Sequence, residues 1–137
     1  MYSFMFRFEW DDSYSVGNES LDDQHRQLIA IMNDFYFSMV QAKGDVKAKI
    51  YLEKLLAFAA SHFIYEEEFL EKKGYPYLKE HKKEHDDFIS KIKEFLRVAD
   101  SPTISLPINM LKFIKDWDKE HLLGTDKKYA EFLSHSF

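Results

Sequence analysis

The chain has 137 residues, enough for one domain that buries a core of its own without covalent staples. It contains no cysteine, which excludes disulfides, thiolate metal sites, iron–sulfur clusters and thiol catalysis together. A net charge of −5, with 45% hydrophobic and 31% charged residues and the two signs interspersed, argues against a nucleic-acid partner or an anionic membrane surface. No apolar run approaches the roughly 18 residues of a membrane span and the N-terminus carries no signal-like segment, so a cytoplasmic protein is expected.

Residues 1–17 alternate Tyr2, Phe4, Phe6, Phe8 and Trp10 with Ser3, Met5, Arg7 and Glu9, a period of two that favours an extended conformation. No other segment offers a partner strand. The expectation is an arm laid across the body, followed by a bundle over residues 18–135, the whole of 1–137 forming one domain.

Ser20 with Asp23 three residues on has the spacing of a helix start. The apolar stripe of that first helix is Leu21, His25, Leu28, Ile29, Met32, Phe35, Tyr36 and Met39. Lys43-Gly44-Asp45 closes it and opens a second helix, whose stripe includes Leu55, Ala59, His62, Phe63, Glu66, Phe69 and Leu70 and which stops at Lys72-Lys73-Gly74. A third helix runs from about Pro76 to Ala99 through Leu78, His81, His85, Phe88, Ile89, Ile92, Phe95 and Leu96. After the turn Asp100-Ser-Pro-Thr103, Pro107 suits the first turn of a fourth, with Leu111, Ile114, Trp117, His121, Tyr129 and Leu133 on its stripe. Four helices with short connections predict an all-α, antiparallel up-down-up-down four-helix bundle with an extended N-terminal arm.

Five of the six histidines, His25, His62, His81, His85 and His121, fall on these stripes, and only His135 lies in the C-terminal tail. One histidine on an apolar stripe reads most simply as a core residue with a hydrogen-bond partner. Five, accompanied by Glu66, leave more ring nitrogens than the stripes have groups to pair, and an unpaired buried carboxylate is costly. His62 and Glu66, like His81 and His85, are one helical turn apart, a spacing that lets one helix offer two ligands to one ion. His121 and Asp126 are five apart, roughly 140° around an ideal helix. Gly124 between them predicts local unwinding that brings Asp126 inward. Five imidazoles and two carboxylates exceed one tetrahedral zinc; they suit two octahedral ions bridged by the carboxylates, and iron fits that donor set.

Leu21-Asp-Asp-Gln-His25, His62-Phe-Ile-Tyr-Glu66, His81-Lys-Lys-Glu-His85 and His121-Leu-Leu-Gly-Thr-Asp126 resemble the four metal-ligand motifs of hemerythrins, the bacterial ones in particular. The resemblance extends from Trp10 to about Leu133. It implies a non-haem pair of iron ions, oxo- or hydroxo-bridged. His81, His85 and His121 would complete one iron, His25 and His62 would leave the other with an open position, and Glu66 and Asp126 would bridge. It further implies reversible dioxygen binding, for transport, storage or sensing, and not an enzyme. Leu28, Phe63, Trp117 and Leu122 match positions that wall the dioxygen pocket, although each also reads as ordinary core packing.

One position departs from the family pattern. Three residues before the fourth-helix histidine the family commonly carries leucine, and this chain carries Asp118. Turned inward, Asp118 would edge the pocket and could deliver a proton there; turned outward, it is a surface acid beside Lys119 and Glu120. The second functional reading is therefore a diiron enzyme with oxidase, peroxidase or nitric-oxide-reducing activity. Leu78 and Lys82, three before His81 and His85, lack the paired Glu-x-x-His pattern of such oxidases. The partners expected are dioxygen and an oxygen-consuming enzyme or electron donor, with no nucleic acid, no membrane insertion, and a monomer or weak oligomer.

Overall fold

The computed structural model describes residues 9–41, 48–99 and 106–135. Residues 1–8 of the arm, the helix stop at 43–45 and the turn at 100–103 lie outside them. From residue 9 to 18 the chain passes outside the helices, with a single 3-10 turn at Asp12–Tyr14.

Helix α1, Glu19–Gln41, is capped by Asn18 and not by Ser20. The Asn18 side-chain oxygen accepts the Leu21 N–H at 2.9 Å, and its carbonyl accepts the Asp22 N–H at 2.8 Å, the first bond of the ladder. Asn caps as well as Ser, and Gly17, at φ 80°, turns the chain in the left-handed region just before it. Helix α2, Ala48–Lys72, ends in a Schellman motif. Tyr75 N–H donates to Leu70 O and Gly74 N–H to Glu71 O, both at 3.0 Å, with Gly74 at φ 70°. That motif extends the connection, so α3 spans Leu78–Val98 and starts two residues later than Pro76.

The fourth rod is made of three pieces: α4, Leu106–Trp117; a π-helical stretch, Asp118–Thr125; and α5, Asp126–Ser134. The predicted unwinding around Gly124 is this π-helical stretch. The Asp126 N–H donates to the His121 carbonyl five residues back, the π spacing. Residues five apart there stand one turn above each other, so His121 and Asp126 share a face, and Asp126 is fully buried.

Helix α1 packs on α2 and α4, α2 packs on α3, and Phe88 of α3 meets Trp117 of α4 with ring centroids 4.3 Å apart. Among the described residues there is no strand, and the fold is an all-α four-helix bundle. Its apolar interior falls into two clusters. The larger includes Leu28, Met32, Phe35, Leu55, Phe63, Phe88, Ile92, Ile114 and Trp117, while the smaller joins Val16, Leu21, Leu70, Tyr75 and Tyr129. Along the chain His25, Glu66, His81, His85 and Asp126 each fall between residues of the larger cluster and residues of the smaller one. Each fully buried Leu or Phe contributes about 1.5–3 kcal/mol, enough to carry a polar layer whose own burial is unfavourable.

Candidate metal centre

Glu66 of α2 and Asp126 at the start of α5 have no exposed surface, and five imidazoles surround them, each at most 2% exposed. His25 comes from α1, His62 from α2, His81 and His85 from α3, and His121 from the π-helical stretch. Their Nε2 atoms all turn to the two carboxylates. His81 lies 2.8 Å from Glu66 and 3.2 Å from Asp126, and His25 lies 3.1 Å from Glu66 and 3.3 Å from Asp126. His85 and His62 reach Glu66 at 3.0 and 3.4 Å, and His121 reaches Asp126 at 3.1 Å. His135 is exposed, at the end of α5, and is not among the residues that converge here.

Several of these contacts are short without being hydrogen bonds. His85 Nε2, His121 Nε2 and both Asp126 oxygens are buried and have no correctly aligned partner, although the distances alone would permit one. The atoms converge on shared space instead of pairing off. They form two groups, Glu66 with His81, His85, His121 and Asp126, and Glu66 with His25 and His62, in which the candidate ligand atoms all lie within 4.8 Å of one another. Imidazole nitrogens and carboxylate oxygens gathered so tightly in a dry layer are a donor set that fits a metal ion.

Without a metal the layer must hold itself together by charge. Burial alone would lower the His81 and His121 pKa values, but the negative charge of the Asp126 and Glu66 carboxylates beside them outweighs it and raises them to about 9 and about 10. His25 is raised in the same way, chiefly by its hydrogen bond to Glu66 acting against burial. Burial pushes Glu66 and Asp126 up, yet the imidazoles prevail and hold both carboxyls below their ordinary range. Tyr129 donates to Glu66 at 2.8 Å; burial and the two carboxylates push its own ionisation well above the ordinary phenol value.

The outer nitrogens show an order that the sequence reading did not anticipate. Gln24 of α1 accepts from His62 of α2 at 2.6 Å, Glu67 of α2 faces His85 of α3 at 2.7 Å, and Glu84 of α3 faces His121 of the fourth rod at 2.8 Å. Each partner sits next to a cluster residue in the chain and reaches forward to the following helix. A carboxylate only accepts, so these contacts fix the proton on Nδ1 and leave Nε2 free for the centre. Adjacency to His25, Glu66 and His85 was the available signal.

Leu28, Phe63, Trp117 and Leu122 are all buried in the larger apolar cluster. Phe63 lies flat on His85, with centroids 3.8 Å apart, and Trp117 lies flat on His121 at 4.4 Å. Asp118 is not a solvated surface acid: it is 8% exposed, and the Tyr14 hydroxyl donates to its two oxygens at 3.0 and 2.8 Å. Burial raises its carboxyl to about 6 against that hydrogen bond. Asp22, also three residues before a cluster histidine, is committed elsewhere, accepting from Val16 N–H at 2.8 Å and the Ser15 hydroxyl at 2.6 Å.

Comparison with known proteins agrees with this geometry. The profile of the hemerythrin HHE cation binding domain matches residues 16–133. A bacteriohemerythrin of Clostridium acetobutylicum is 35% identical, over 90% of this chain and 99% of its own length. A hemerythrin-like protein of Naegleria gruberi is 32% identical over 92% and 93%, and a myohemerythrin of Theromyzon tessulatum 32% identical over 89% and 90%. The layer of histidines and carboxylates between the two apolar clusters, and the match along most of the chain, place this protein in the hemerythrin family.

Proposed function

We propose that the cluster holds two iron ions and that the chain binds dioxygen reversibly there. His81, His85 and His121 are assigned to one iron, His25 and His62 to the other, and Glu66 and Asp126 to both. The observation that carries this reading is the division of the donors into a three-histidine and a two-histidine group that share Glu66. The second group has fewer donors, and so offers a position for an external ligand. Two ferrous ions bound there supply the two electrons through which dioxygen is held and released.

The chain's own residues then keep that exchange reversible. Leu28, Phe63, Trp117 and Leu122 give the pocket apolar walls that exclude water. The stacking of Phe63 on His85 and of Trp117 on His121 fixes the ring planes, and Tyr129 holds the Glu66 carboxylate in place. Among the described residues no helix is long and apolar enough to cross a membrane.

A second reading, a diiron enzyme that consumes dioxygen or peroxide, is favoured by one observation, the buried Asp118 carboxyl held near neutrality beside Tyr14. A closed-cell oxygen electrode separates the two. Reduced, iron-loaded protein is expected to take up one dioxygen for each pair of irons, stop, and return it under inert gas. Continuous uptake in excess reductant, slowed by Asp118→Leu, would replace the carrier reading with the enzyme one.

A further inference from the structure

The two halves of the centre differ in what stands behind their imidazoles. On the three-histidine side, His85 and His121 are backed by the carboxylates of Glu67 and Glu84. Thr125 donates to both oxygens of Glu84, at 2.8 and 3.0 Å, and so anchors it. On the two-histidine side, His62 is backed by the neutral amide of Gln24. A carboxylate draws the Nδ1 proton outward more strongly than an amide does, which leaves Nε2 the better electron donor. The difference is built into the packing, since each partner reaches from one helix to the next.

Resting on the assignment of two irons to these groups, we propose that Glu67 and Glu84 on one side and Gln24 on the other set the two metal positions apart in reduction potential, the three-histidine position being the harder to reduce. More basic imidazoles favour the ferric state. On reduction, the two-histidine position accepts the first electron, ferric to ferrous, and the three-histidine position the second, both from an external one-electron donor. Gln24, Glu67 and Glu84 are positioning residues that act through the rings they hold.

The test is a spectroelectrochemical titration with one-electron mediators, with iron counted before and after, on the iron-loaded wild type and on Glu67→Gln, Glu84→Gln, Gln24→Glu and Thr125→Val. The wild type is expected to show two separate one-electron steps. Glu67→Gln and Glu84→Gln raise the lower step by about tenfold in its equilibrium, about 59 mV for one electron, and Gln24→Glu lowers the upper step by a similar amount. All three narrow the gap while the protein keeps both irons. Thr125→Val, which leaves Glu84 in place without its anchor, shifts the lower step in the same direction by less. If a glutamine variant fails to hold iron, this variant and Gln24→Glu decide the matter. Two irons per chain with an unchanged gap overturns the proposal and leaves the iron assignment standing. A wild type that holds fewer than two irons overturns both.

Discussion

Glu66→Gln is expected to lose both metal ions, whereas His62→Ala and His85→Ala each lose one. Glu66 belongs to both ligand groups, while His62 belongs to one of them and His85 to the other. Removing an outer hydrogen-bond partner typically costs about 10–100-fold in metal affinity, and loss of a shared ligand should exceed that at both positions. The stripped protein suffers as well. Glu66 accepts from Tyr129 and lies within 3.4 Å of four imidazoles, so an amide in its place leaves their protons facing no charge. Breaking a buried ion pair in this way costs about 3–5 kcal/mol. Iron content per chain and urea denaturation of the stripped variants measure the two effects, and equal iron loss in all three variants would refute the shared-ligand arrangement.

Stripped and iron-loaded protein are expected to depend on pH in opposite senses. In the stripped state His81 and His121 titrate at about 9 and about 10, above the ordinary 6.5 of an unfolded histidine. Their contribution is therefore full below about pH 6.5 and is lost as pH rises through 9 and 10. For His81 alone it is roughly 3 kcal/mol. Glu66 and Asp126, held below their ordinary values of 4.5 and 3.8, contribute above those values and lose their contribution on further acidification. Stripped protein should thus be most stable between about pH 5 and 6.5 and weaken towards pH 9. Metal binding needs neutral imidazoles, so the stability that iron adds falls below about pH 6.5 and grows above it. Melting temperatures of both forms across pH 5–9 check this: the gap between them should widen steadily with pH, and parallel curves would contradict it.

The bundle was legible because its cause is periodic. Leu28, Phe63, Phe88 and Ile114 recur at the spacing that turns them inward, and five histidines kept that same register, so their convergence followed from the stripes alone. Gly124 marked the place where the fourth helix unwinds, although the extent of the π-helical stretch, Asp118–Thr125, left no mark in the residue pattern. Contacts between helices left no such trace. Gln24, Glu67 and Glu84 each follow or precede a cluster residue and look like solvated flank, and only the packing shows that each holds a ring on the next helix. Asp118 showed the same difficulty from the other side. Its neighbours Lys119 and Glu120 suggested water, and its partner Tyr14 lies 104 residues away in the chain. The first helix cap moved from Ser20 to Asn18 because two good cap residues stood two apart, and Gly17 decided between them.

The measurement that bears most directly on the account is an anaerobic titration of chelator-stripped protein with ferrous iron, with melting temperature recorded at each addition. The seven-residue layer predicts a rise that breaks at two irons per chain and reverses when a chelator removes them. A break at one iron, or a melting temperature indifferent to both iron and chelator, would contradict a paired metal centre between Glu66 and Asp126.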